Sequence, residues 1–174
     1  MIEFVKFSFS FVALLLLSLN PVIAQSFVVD GILYNVTSSN TVSVAENENY
    51  SGEVVIPDSV IDINNKNVYY VTYVEDKAFA NNPNLKSVVL SNNIKSIGNS
   101  IFANSINLTT VVLPKDIIWI PPHENMGYEG LFQGCSSLQF VNIPVGIETI
   151  AQRMFMNCTK LSNITLPLIP QRFL

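Results

Sequence analysis

One phenylalanine returns along this chain with its whole neighbourhood in register, and that repetition limits the fold more than any other feature. Phe79 recurs as Phe102, Phe132 and Phe155, at spacings of 23, 30 and 23. Leu85, Leu108, Leu138 and Leu161 keep the same spacings, as do Val88, Val111, Val141 and Ile164, and Leu90, Leu113, Ile143 and Leu166. Pro114, Pro144 and Pro167 close their segments, and Ile97, Ile120 and Ile150 begin the next ones. Several independent columns sharing one offset define a repeat of one supersecondary unit. No single unit can bury its Phe, Leu, Val and Ile. Stacked units can, by laying each column into a continuous ladder.

Within a unit, the Leu-x-x-Val-x-Leu stretch alternates with period two and reads as a short strand. The proline after it has no amide to donate and ends the ladder there. The Ile97–Phe102 stretch and its counterparts are expected to form short helical or 3₁₀ turns on the opposite side. The fold class that follows is α/β: a solenoid whose short strands stack as a parallel sheet, with those turns opposite.

The columns resemble the leucine-rich repeats of BspA-like bacterial surface proteins, with their Leu-x-x-Ile-x-Leu-Pro and Ile-Gly-x-x-Ala-Phe-x-x-Cys pattern. Ala78-Phe79, Ile97-Gly98 with Phe102, and Phe155-Met156-Asn157-Cys158 carry the likeness. Ile101 and Leu131 depart from the usual Ala, and Asn82 and Ser105 stand where Cys is usual. The resemblance implies a surface recognition role and adhesion to host or neighbouring-cell macromolecules.

The chain divides into four stretches. Lys6 precedes an almost wholly apolar run from Phe7 to Leu19, then come Pro21 and the small-residue end Val22-Ile23-Ala24. That order describes a secretory signal over residues 1–24, cut after Ala24. The run is 13 residues long, short of the roughly 20 that a spanning helix needs. The protein is therefore expected to be secreted or on the cell surface, meeting the membrane only through its export signal. Residues 25–73 hold short β-like runs between Asp-Gly, Asn-rich and Ser-Gly turns, and are expected to form a β-rich cap on the first coil. There Ile56-Pro57 copies Leu113-Pro114, as in a degenerate repeat. Four units follow over residues 74–168, at about 74–96, 97–119, 120–149 and 150–168. Residues 169–174 are a divergent or truncated tail, because Pro170 breaks the column of Ile94, Ile117 and Ile147.

The third unit is longer than the others. Its extra residues fall within 121–130, in a loop carrying His123 and Tyr128. Repeat proteins place insertions on one face, often the binding face, although long surface loops are also tolerated without a partner.

The chemistry of the chain points away from catalysis. His123 is the only histidine, beside Glu124 but without a second ligand or nucleophile in any recognisable pattern. No phosphate loop, zinc signature or nucleophile elbow occurs, so no enzyme activity, cofactor or metal is expected. Charged residues are 13% of the chain and the net charge is −4, with no basic run, which argues against a nucleic-acid groove, and no nucleic-acid partner is expected. Cys135 and Cys158 share one column. An exported protein could join them as a disulfide, whereas the resemblance makes this the family's buried thiol position.

If Leu85, Val88 and Leu90 face inward, the outward residues follow by alternation. One column is Ser87, Thr110, Phe140 and Asn163. The next is Val89, Val112, Asn142 and Thr165. This weakly polar face, with Phe140 as its large anchor and His123 and Tyr128 in the loop, is the candidate binding site for an extracellular protein or glycan. The alternative is a structural spacer, or the first part of a longer repeat protein.

Overall fold

A computed structural model describes residues 25–117, 129–147, 150–164 and 166. Residues 1–24, where a secretory signal is expected, His123, Tyr128, Thr165 and residues 169–174 lie outside the described residues, as does all of the 121–130 loop except Glu129 and Gly130.

Among the described residues, ten strands form two sheets. The first joins β1 (Ser26–Val29), β2 (Ile32–Val36), β3 (Thr41–Val44), β6 (Val68–Val74) and β5 (Ser59–Ile61) in that spatial order, with β8 (Ser96–Ile97) beside the end of β6. Asp30 and Gly31 make the tight β1–β2 turn with φ of 50° and 78°, the doubly left-handed geometry that an Asp-Gly pair favours. The second sheet is wholly parallel: β4 (Gly52–Val55), β7 (Leu85–Val89), β9 (Thr110–Val112) and β10 (Phe140–Val141). Val54, Val88, Val111 and Val141 pair in register and are all buried. The repeat offset read from the sequence is thus the strand register. β4 takes the first place in this ladder, so the Gly52–Pro57 stretch stacks as a coil in its own right.

Opposite the sheet, the expected helical or 3₁₀ turns are absent: no helix occurs among the described residues. The reason lies in where the amides go. Ala78 N–H donates to Glu75 and Ala80 N–H to Lys77, closing tight turns, while Lys77, Phe79 and Asn81 N–H donate to Asn99, Ile101 and Ala103 of the next coil. The same alternation recurs at Phe102 and Asn104, and at Phe132 and Gly134. Amides spent across coils cannot join an i→i−4 ladder. Left-handed residues punctuate each segment, at Lys77 and Asn81, Ser100 and Asn104, and Arg153 and Asn157, and no right-handed helix runs through such positions.

The core is the stack of columns. Phe79, Phe102, Phe132 and Phe155 stack with centroids 5.6, 5.3 and 5.3 Å apart and planes within 11° of parallel. Tyr50 continues the column 5.0 Å beyond Phe79, its ring tilted by 45°, and its hydroxyl donates to Ala45 O while accepting from Leu33 N–H. Burial pushes that phenol up to about 12. The β1–β3 and β6 segments join the same buried core, where Phe27 packs on Tyr34 and Tyr69. Each buried aromatic contributes on the order of 2 kcal/mol by leaving water.

Candidate recognition face

The parallel sheet presents its second face to solvent. Ser87 pairs with Thr110 and Thr110 with Phe140, so one outward column is straight, and Val89 pairs with Val112 in the next. Both columns continue where the sequence reading stopped short. Glu53 pairs with Ser87 and Val55 with Val89. Val55 is 63% exposed, Phe140 53% and Val89 37%, whereas Ser87, Thr110 and Val112 are half-buried. A signal for Glu53 and Val55 was available, because the Ile56-Pro57 repetition extends backwards into Val54 and Val55.

Not every outward residue is free to meet a partner. Asn142 is half-buried, and its amide clasps the backbone of one residue of the neighbouring coil: Oδ1 accepts from Leu113 N–H at 2.6 Å and Nδ2 donates to Leu113 O at 3.0 Å. It extends the ladder beyond the two residues of β10. Asn163 is exposed, and a hollow of about 370 Å³ lies between it, Ser162, Asn142 and the Phe140 ring. The candidate residues His123, Tyr128 and Thr165 lie outside the described residues. Gly130 and Glu129 are placed, and they anchor the returning chain. Ser100 Oγ donates to Glu129 O, and Asn104 Nδ2 donates to both Glu129 carboxylate oxygens, at 3.0 and 3.1 Å.

The two cysteines are free thiols. Cys135 Sγ donates to Phe102 O and Cys158 Sγ to Phe132 O, each at 3.0 Å. Ser105 does the same one coil earlier, its hydroxyl donating to Phe79 O at 2.6 Å. The column therefore supplies one small donor per coil to the carbonyl of the preceding Phe. Burial, then the nearby Cys158, pushes the Cys135 thiol up to about 12, and burial raises Cys158 to about 11. Neutral thiols held in this way are poor nucleophiles. Asn82 leads the column without a phenylalanine carbonyl before it, and its Nδ2 donates to Asn47 O and Ala80 O. Among the described residues, no three His, Cys, Asp or Glu side chains converge as metal ligands.

Comparison with known proteins places this geometry. The family described as BspA type leucine rich repeat region matches in six copies, over residues 30–124 and 59–170. A leucine-rich repeat protein from Bacteroides ovatus is 23% identical with a TM-score of 0.64, over 81% of this chain and 41% of that one. A leucine-rich repeat protein from Bacteroides capillosus is 25% identical with a TM-score of 0.62, over 80% of this chain and 96% of that one. A leucine rich cell surface protein from Faecalibacterium prausnitzii is 21% identical with a TM-score of 0.55, over 82% of this chain and 43% of that one. The chain thus spans less than half the length of two of these relatives. No curated protein matches it.

Proposed function

The chain belongs to the BspA-type leucine-rich repeat family, and from that premise we propose that it is an exported, non-catalytic recognition module. Its partner is an extracellular protein or glycan, met on the outward face of the parallel sheet. The observation that carries this reading is the exposure of Val55, Val89 and Phe140 on one rigid, hydrogen-bonded ladder. Exposed apolar groups on a preorganised surface lose little entropy on docking, and an aromatic anchor supplies contact area. Few charges lie on this face, so affinity rests on shape and desolvation. Export rests on the signal-like residues 1–24, and the surface location draws support from the name of the F. prausnitzii relative. Residues 25–73 are proposed to cap the repeat units at 74–168, with the Gly52–Pro57 stretch as the coil on which those units stack.

The test is an array of extracellular-matrix proteins and glycans, probed with the chain and with its Phe140→Ala and Val55→Ser variants. A ligand whose binding weakens about tenfold on Phe140→Ala supports the reading. A ligand bound equally by both variants and the parent removes this face from consideration. A second reading, a spacer that holds other domains away from the surface, draws on the greater length of two relatives. It predicts no ligand on the array.

A further inference from the structure

A second surface borders the sheet face, at the corner where each turn enters its strand. A groove of about 300 Å³ crosses four coils there. Asn84, Asn107, Ser137 and Lys160 line it as a single repeat column, and Lys86 and Thr109 flank them. Lys86 stands at an irregularity where Leu85 pairs with Gly52 and Ser87 with Glu53, so it has no partner in the register. Both lysines are exposed and no carboxylate lines the groove. They sit three coils apart, roughly 15 Å at the usual strand spacing.

The floor between them is rigid. Asn107 Nδ2 donates to Pro83 O at 2.7 Å and Thr109 Oγ1 to Lys86 O at 2.9 Å. Ser137 N–H donates to Ile106 O and Lys160 N–H to Ser136 O. Asn107 Oδ1 and the lone pairs of Thr109 remain for a ligand. The groove thus offers a short file of amides and hydroxyls, those of Asn107 and Thr109 held by hydrogen bonds, with one ammonium at each end.

We propose that this groove binds an extended acidic polysaccharide. Its carboxylate or sulfate groups meet Lys86 and Lys160, and its ring hydroxyls meet Asn84, Asn107, Thr109 and Ser137. A linear glycan advances about one strand spacing per sugar, so successive rings find successive coils. The lining has no aromatic ring on which a neutral sugar or a base would stack. Recognition here is charge-led and salt-sensitive. It does not depend on the sheet-face reading.

The experiment titrates the full chain with polygalacturonate, a heparin-type sulfated chain and neutral dextran. The acidic chains bind and dextran does not. Kd rises roughly fivefold for Lys86→Gln and again for Lys160→Gln, and binding fades as salt approaches about 0.5 M. Phe140→Ala leaves this affinity unchanged, which separates the groove from the sheet face. Equal weakening by Lys66→Gln or Lys115→Gln, outside the groove, would mean diffuse charge attraction and overturn the proposal. So would dextran binding as tightly, or no acidic chain binding the parent. Unchanged unfolding midpoints of the lysine variants, all at exposed sites, exclude misfolding as the cause.

Discussion

Phe102 and Phe132 stack 5.3 Å apart with planes 3° from parallel, although 30 residues separate them where 23 separate the other pairs. The extra chain of the third unit is therefore absorbed without disturbing the core rung. Deleting residues 121–127 is expected to leave stability within about 1 kcal/mol, since loop-closure entropy changes slowly with length. Urea unfolding of the shortened chain checks this, and a large loss of stability would mean the loop packs on the core.

The same ring column separates core from surface. Phe132→Ala empties a fully buried site between two stacked rings and should cost about 3–5 kcal/mol. Phe140→Ala, at a ring 53% exposed, should change stability by no more than about 0.5 kcal/mol. Parallel denaturant titrations compare the two, and equal losses would contradict the assignment of faces.

Gly130 is required by close approach. A Cβ there would lie 1.9 Å from Arg153 O and 2.8 Å from Met154 N, in backbone that cannot swing away as a side chain would. Gly130→Ala should destabilise by about 2–3 kcal/mol through forced separation of the last two coils. At Gly31, by contrast, a Cβ meets nothing within 4 Å and only the φ of +78° opposes it. Gly31→Ala should cost about 1 kcal/mol. A thermal melt that ranks the two the other way round would count against this account.

The thiol column makes stability sensitive to alkali. Cys135 titrates near 12 in the fold against about 8.5 when unfolded, so between those values the unfolded chain has released a proton that the folded chain keeps. Stability is then full below about pH 8.5 and falls as pH rises toward 12. Cys158 and Tyr50, both raised by burial, act in the same direction. Cys135→Ser keeps a donor for Phe102 O, as Ser105 does for Phe79 O. It should flatten the decline between about pH 8.5 and 10 while leaving the neutral melting temperature within a few degrees. An identical slope in both proteins would show that the thiol is not the titrating group.

Much of the solenoid was legible in the sequence because each column is a contact. Val88 and Val111 share an offset and also share a rung, and the outward column of Ser87, Thr110 and Phe140 follows from the same arithmetic. The turn geometry was not legible, because Phe79 N–H has a local alternative and a distant one. Only the neighbouring coil's Ile101 carbonyl decides between them. Asn142 looked like a free outward amide until Leu113 was seen to occupy both its donor and its acceptor. The place of Glu53 and Val55 was only faintly legible, because their coil carries neither the Phe nor the Leu that marks the others.

The repeat by itself therefore determined which side chains of the first three units are buried and in what order their coils stack, since hydrophobic periodicity is written residue by residue. Ile150, Ile164 and Leu166 of the fourth unit keep the columns yet are exposed, because burial also needs a neighbouring coil on the far side. Tertiary structure alone decided how the backbone between the columns is hydrogen-bonded, which outward residues are already engaged, and that Lys86 and Lys160 stand at the two ends of one groove. Those outcomes depend on amides, carbonyls and charges brought together from different coils, where a distant partner competes with a local one and stacking geometry selects the winner.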